Sequence, residues 1–302
     1  MDSYSIVELV NSIPTIVAQQ ALNKLEADLN LIPFVNKEFT NDIASYGRTV
    51  QIEKYGNLVA NTKVGKTPVT LQDPAGAKVD VVLSQYKEVS FLIEDIAGAM
   101  SKPDAIQNRL GDAMLTIMED AEAYLYGVGA TLTATNGAAK VYTPANILTD
   151  IRASSSTLTA ARAPRSDRGV FLANDMYSQL IANDNIALAQ NYGANTAVVE
   201  GRVPRVAGFS VYETIFANSA ADVVSSLALH KDALTMVARA LPAVGAQNTI
   251  SQAIVTRDGM IPMRVTVSYD PNALGTQVTV DALYGAAVLR DELGVKLLED
   301  VA

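Results

Sequence analysis

Few residues in this chain are equipped for chemistry. His230, in LALHKDAL, is its single histidine, and there is no cysteine. A Ser/His/Asp triad would have to use His230, yet no GxSxG elbow accompanies it. Lys231 follows it at an expected strand-to-helix junction, so a structural or solvent-facing histidine is the reading. One histidine without cysteine cannot assemble the usual zinc set, and no DxDxDG calcium loop occurs. No metal and no cofactor are therefore expected. Asp175 and Asp184 read as helix-cap and turn residues. The close carboxylates Glu119 with Glu122, and Asp291 with Glu292, read as charges on solvated faces and not as a hydrolase pair. GVGATL, at Gly127–Leu132, imitates half a dinucleotide fingerprint but follows a helix and carries Leu132 where glycine is needed. One covalent possibility stands apart. A loop-tip lysine, Lys63 or Lys66, could form an isopeptide bond with Asn272 of a neighbour, given a carboxylate as general base in a dry pocket. Exposed lysines are the default for both.

The basic residues concentrate in ARAPRSDRG, with Arg162, Arg165 and Arg168, and in GRVPRVAG, with Arg202 and Arg205. Both segments hold Pro and Gly, so solvated loop charges or contacts to acidic neighbours are favoured over phosphate binding. The 302 residues carry 23 Lys plus Arg against 32 Asp plus Glu, a net charge of -9. That balance excludes a general nucleic-acid binder, which needs an array of cations along one face. Apolar residues make up 49% and charged ones only 18%, below the roughly 25% typical of soluble domains, which excludes a disordered chain. Asp2 and Glu8 stand where a secretory signal would carry Lys or Arg. The most apolar later stretch, residues 227–246, is broken by His230, Lys231, Asp232, Arg239 and Pro242, so no membrane span and an aqueous compartment are expected.

The elements that must position these residues are legible as changes of period. Pro14, Ile16, Val17, Leu22, Leu25 and Leu29 predict an amphipathic helix ending near Asn30, with no domain of its own behind it. From Gly47 the period becomes two: Arg48–Glu53 predicts one strand and Val79–Ile93 a second. About 25 residues rich in Gly, Pro and Asn separate them, which predicts a long protruding hairpin. A lone hairpin is marginal in water, so this one is expected to lie on another subunit. Ser101 as cap, Pro103 in the first turn and the stripe Ile106, Leu110, Met114, Ile117, Met118, Ala121, Leu125 predict a helix over Asp104–Tyr126, about 34 Å long, stopped by Gly127 and Gly129. Residues 130–225 read as a mixed domain in an α/β layer arrangement. Its elements are a helix from Thr143 or Asn146 to Ala163, a strand at Gly169–Ala173, a helix at Asp175–Ile181 capped by Asn174, and a strand at Phe209–Glu213. Arg264–Tyr269 and Gln277–Tyr284 predict an antiparallel hairpin, and the tail adds a short strand or helix.

In this order the elements resemble the major capsid proteins of tailed bacteriophages with the Hong Kong 97-type fold. GRTVQI at Gly47–Ile52 looks like the start of that family's E-loop, and VSFLIEDI at Val89–Ile96 like its return strand. MEDAEAYL at Met118–Leu125 resembles the end of the spine helix, and GRVPRVAGFSVYET an axial-domain strand. ALHKDALTMVAR and ALYGAAVLRDELGVKLL resemble the closing segments. The resemblance implies an α+β fold divided into an N-terminal arm (1–46), an E-loop β-hairpin (47–95), the spine helix of a peripheral domain (96–129), an axial domain (130–248) and returning strands of the peripheral domain (249–302).

The function it implies is a non-enzymatic coat subunit, assembled in the host cytoplasm as hexamers and pentamers into an icosahedral virion shell around double-stranded DNA. Portal, separate scaffolding and possible decoration proteins would be partners; the start at Met1 without a charged helical prefix is why a separate scaffold is expected. Lys63, Lys66, Arg162, Arg165, Arg168, Arg202 and Arg205 are the expected subunit-interface residues. An encapsulin-type compartment, with the same fold around protein cargo, is the first alternative. An oligomeric α/β enzyme would need a cleft of convergent titratable groups. A tail or decorating protein would not account for the long helix after a long hairpin.

Overall fold

The structure is a computed structural model that describes residues 29–39, 48–55, 58–72, 76–95, 104–187, 203, 205–220, 223–239, 241–242, 249–255 and 261–300. The expected arm helix, Ser101, Pro103 and Arg202 lie outside the described residues. In chain order the elements are α1 (Leu31–Phe34), β1 (Thr49–Lys54), β2 (Ala77–Val82), β3 (Gln85–Glu94), α2 (Asp104–Gly129), α3 (Pro144–Ala160), β4 (Arg168–Ala173), α4 (Asn174–Ile181) and α5 (Asp184–Ala187). They continue with β5 (Arg205–Val206), β6 (Phe209–Thr214), β7 (Asn218–Ala220), β8 (Val223–His230), β9 (Leu234–Arg239), β10 (Thr249–Val255), β11 (Met263–Asp270), β12 (Gly275–Val288) and β13 (Gly294–Asp300). Among the described residues no helix is long and apolar enough to cross a membrane.

Two sheets carry the body. The first runs β10-β11-β12-β3, with β9 also paired to the end of β12. Every pairing in it is antiparallel, so each strand can turn alternate side chains inward. Val265, Val278, Val280, Ala282 and Tyr284 are buried in one core with Met114, Ile117, Met118, Ala121 and Leu125 of α2. Asp120 on α2 stitches the layers, accepting Tyr284 Oη at 2.5 Å and pairing with Lys87 of β3 at 3.1 Å. The second sheet runs β13-β8-β4-β6-β5, with β7 also on β8. Its one parallel pair, β4 with β6, is the part that matches the α/β expectation. β4 is buried along its whole length. Phe171 from β4 stacks on Tyr212 at 5.0 Å between centroids and meets Phe34 of α1 edge-on at 5.2 Å.

Besides the long passage from β3 to β4 through α2 and α3, the chain steps directly between the sheets at two single 3-10 turns: Lys231–Ala233 joins β8 to β9, and Asp291–Leu293 joins β12 to β13. Residues 249–302 are accordingly divided. β10, β11 and β12 belong to the first sheet, and β13 pairs with β8 in the second.

Local expectations are corrected at several points. The stretch read as one strand over Val79–Ile93 breaks at Leu83–Ser84: β2 pairs with β1, whereas β3 pairs with β12. The alternation of side chains survives the break, which is why periodicity does not reveal it. Gly127 and Gly129 do not stop α2 but lie inside its last turn. A Cβ on Gly129 would overlap the Leu227 side chain, so that glycine serves packing. Helix α3 starts at Pro144, with Thr143 N–H donating to Asn146 Oδ1 at 2.8 Å, and it ends at Ala160 and not at Ala163. The cap residue of α4 is Ala173 and not Asn174, which is its first helical residue.

Glu122 overturns the reading of a solvated face, because it is fully buried. Its carboxylate accepts three consecutive backbone N–H groups, from Asn30 at 3.0 Å, Leu31 at 2.7 Å and Ile32 at 2.9 Å. These are orphan donors at the start of α1, and the carboxylate supplies what that turn cannot supply itself. Burial pushes the Glu122 pKa up, while the three donors and nearby Lys37 hold it down. Burial in turn pushes the Lys37 amine down to about 8, with Glu122 opposing the shift.

Replacing Glu122 with Ala leaves these N–H groups unpaired and is expected to cost about 3 kcal/mol or more, read as a shift in the urea midpoint of the unassembled subunit. Glu122→Gln, which keeps one acceptor oxygen, should cost less. Lys37 gives a pH signature. Between about 8 and its ordinary 10.5, the unfolded chain holds a proton that the folded chain has released, so this group makes stability rise with pH across that window. Lys37→Met should remove its rising contribution in urea titrations run from pH 8 to 9.5.

Candidate assembly surface

The part of the molecule that lacks a core of its own is the hairpin. β1 and β2 pair antiparallel from Thr49 opposite Val82 to Lys54 opposite Ala77. Beyond them every residue of 58–72 is exposed. Leu58, Val59, Val64, Val69 and Leu71 are among these, and Leu71 keeps 90% of its surface in solvent. The only charges in this stretch are Lys63 and Lys66; it holds no carboxylate. Local hydrogen bonds nevertheless shape it. Gln72 spans to Val59, accepting its N–H at 2.8 Å and donating to its carbonyl at 2.5 Å. Thr67 N–H and Oγ1 both donate to Val64 O, and Lys63 Nζ donates to Val64 O and Thr67 Oγ1. Lys66 takes a left-handed φ of 62° to close the turn. The tip is thus a formed apolar surface bearing positive charge and no internal packing.

Its root is packed. Ile52, Val81, Leu83 and Val237 form a second, smaller core, joined by Leu283, Ala287 and Leu289. The hairpin strand passes so close to β12 that a Cβ on Gly285 would overlap the Val82 carbonyl oxygen and press on Leu83 Cα. Only glycine permits that approach. Lys54 at the end of β1 adds an ion pair to Glu292 at 2.7 Å, which holds the Glu292 carboxyl below its usual range. Asp291 is also engaged, accepting Thr133 N–H at 2.8 Å.

The expected interface residues fall on several elements. Lys63 and Lys66 are on the tip. Asn272 sits in the β11–β12 turn, its N–H held by Asp270 Oδ1, while Lys63 Nζ bonds within the tip. Arg162 follows α3 with a left-handed φ of 62°, and Arg165 and Arg205 are exposed. Arg168 is no surface charge: it is 3% exposed. Its guanidinium donates to Pro164 O at 2.7 Å, Ala163 O at 2.8 Å and the Ser155 and Thr159 oxygens, closing the turn after α3. His230 is structural, as read: it is buried, its Nδ1 accepts Asp232 N–H at 3.2 Å, and burial lowers its pKa.

Sequence reasoning missed Glu122, Lys54 and Gly285. Glu122 had a signal, because it falls four residues after Met118 and three before Leu125, on the apolar stripe of α2. Lys54 and Gly285 had none, since their partners lie far along the chain.

No protein-family model matches the chain, and no curated protein matches it in sequence. Solved structures do. The chain is similar to a structure from Mycobacterium phage Che8, at 17% identity and TM-score 0.70 over 90% of this chain and 91% of that one. It is similar to the capsid of the cyanophage P-SCSP1u, at 16% identity and TM-score 0.63 over 91% and 88%. A virus-like particle from Pyrococcus furiosus aligns at 11% identity and TM-score 0.52 over 94% and 98%. The chain has the α+β Hong Kong 97-type fold.

If Gly285 sets the hairpin's close approach, Gly285→Ala should lift β1 and β2 off β12. The expected result is faster hydrogen exchange at residues 49–54 and 77–83, with unchanged exchange in β4 and β8.

Proposed function

We propose that this chain is the major capsid subunit of a tailed double-stranded-DNA bacteriophage, building a closed icosahedral shell from hexamers and pentamers. The observation that carries the reading is a formed, apolar, cationic hairpin tip with no core, on a fold shared with phage capsid structures. A monomer has no use for five exposed aliphatic side chains at the end of a long hairpin.

In the shell, each tip lies over the spine helix of the adjacent subunit. The exposed line of α2 carries Arg109, Asp112, Thr116, Glu119 and Ala123, and its two carboxylates are the groups that Lys63 and Lys66 would meet. Each aliphatic side chain contributes about 1.5 kcal/mol or more when fully buried, against under about 1 kcal/mol for an exposed ion pair. Apolar burial therefore decides the strength of the contact, and charge its register. The contact recurs around every capsomer, so weak individual terms close a stable shell. A net charge of -9 lets the wall enclose DNA without gripping it. Segments 1–46, 47–95, 96–129, 130–248 and 249–302 act as arm, E-loop, spine, axial domain and peripheral return, with portal, scaffolding and decoration proteins as accessory partners. The subunit works in the virion as a wall and not as an enzyme. The similarity to the capsid of the cyanophage P-SCSP1u supports a phage shell over a cargo compartment.

Negative-stain microscopy of the purified protein should show discrete closed shells. Leu71→Asp with Val69→Asp should leave the subunit folded by circular dichroism and stop closure. A wild-type chain that stays monomeric or dimeric across assembly conditions would sink the proposal.

A further inference from the structure

A cleft of about 580 Å³ opens where the chain crosses between the two sheets. One wall is the end of α3 and the turn after it, with Ala160, Ala161 and Pro164; the other is the second crossing, with Leu293. His230 and Asp232 of the first crossing complete it. The two crossings are bound to each other, as Leu289 and Arg290 N–H both donate to Ala233 O.

The charges that line this cleft are unequally satisfied. Glu292 spends both carboxylate oxygens on Lys54, at 2.7 and 3.0 Å. Asp232 accepts Asn36 Nδ2 at 2.8 Å with one oxygen, and its other lies 3.6 Å from His230. Arg162 and Arg290 also line the cleft, and neither guanidinium makes a hydrogen bond or ion pair among the described residues. Arg290 adds, after Lys54, to what holds the Glu292 carboxyl below its usual range. In a chain with nine more acidic than basic residues, two arginines sharing one concave site without a carboxylate of their own are conspicuous. A planar guanidinium presents a fork matched to a carboxylate, and a pair of forks matches two carboxylates on one segment.

We propose that this cleft is a docking site for a short acidic peptide segment of another polypeptide, whose carboxylates pair with Arg162 and Arg290 while its apolar atoms lie against Ala160, Ala161, Pro164 and Leu293. The concavity and the apolar wall favour a peptide. A nucleic-acid backbone needs a line of cations, and here the engaged carboxylates of Asp232 and Glu292 would face its phosphates. The site lies apart from the hairpin tip and does not depend on the shell reading. An occupant would touch both sheet units at once and so brace the double crossing.

The test uses the full chain, unassembled, and a fluorescein-labelled hexaglutamate peptide followed by anisotropy at about 50 mM salt, where such pairs are least screened. Saturable binding is expected, weakened about tenfold or more in the Arg162→Gln, Arg290→Gln double variant and unchanged in Arg152→Gln on the exposed side of α3. The single variants Arg162→Lys and Arg290→Lys, which keep charge but lose the fork, should each fall between. Absence of saturable binding, or equal binding by the double variant, overturns the proposal. So does a labelled duplex of about 20 base pairs that binds more tightly than the peptide and loses its affinity in the same double variant.

Discussion

A buried carboxylate on the long helix organises the body of this protein. Ionised, Glu122 is costly to desolvate, and that cost is offset only because three backbone donors converge on it from Asn30, Leu31 and Ile32. The arrangement fixes where residues 30–34 lie on α2, which places Phe34 against Phe171 and carries Asn36 alongside β9. Asn36 then exchanges main-chain hydrogen bonds with Leu234 and Met236 and reaches Asp232 at the first crossing. One side chain thus ties the start of the described chain to the helix, to the second sheet and to the point where the sheets meet. An apolar residue at position 122 could fill the space but could not satisfy the turn.

The hairpin is governed by a division between root and tip. At the root, apolar packing on Val237 and Leu283 and the close backbone approach at Gly285 fix its direction. At the tip, side chains that would ordinarily be inside are held outside by a frame of local hydrogen bonds. A root alone would give an ordinary β-extension, and a tip without a root would give a floppy apolar loop prone to indiscriminate contact. Together they give a locally ordered apolar surface carried by a packed root, which lowers the entropy lost when it is covered.

Much of this was readable from residue order, for identifiable reasons. The alternation at Arg48–Glu53 and the seven-residue stripe from Ile106 to Leu125 are local signals, and local signals survive without knowledge of tertiary partners. The long hairpin followed by a long helix was therefore visible, and with it the fold. What failed required long-range information. Arg168 sits in a run that looks like a basic loop, but the carbonyls it closes on become available only when α3 is packed. The break between β2 and β3 carries no Gly or Pro, because the chain changes sheets without changing period. Gly129 looks like a helix stop, and only the position of Leu227 shows that it makes room for a neighbour. Within the basic run, Arg168 is buried while Arg162 and Arg165 stay at the surface, a distinction that residue order does not carry.

The double crossing between the sheets has a consequence for how the molecule is made. β13 is an integral strand of the sheet that contains β4 and β8, and it also bridges Thr135 and Lys140 through Lys296 and Glu299. That sheet therefore cannot close until residues near 300 have left the ribosome, although β4 emerges well over a hundred residues earlier. Contacts so distant along the chain form late and slowly. A nascent subunit would then expose its hairpin before its body is complete, and translation itself would delay the moment at which the subunit becomes competent to meet its neighbours.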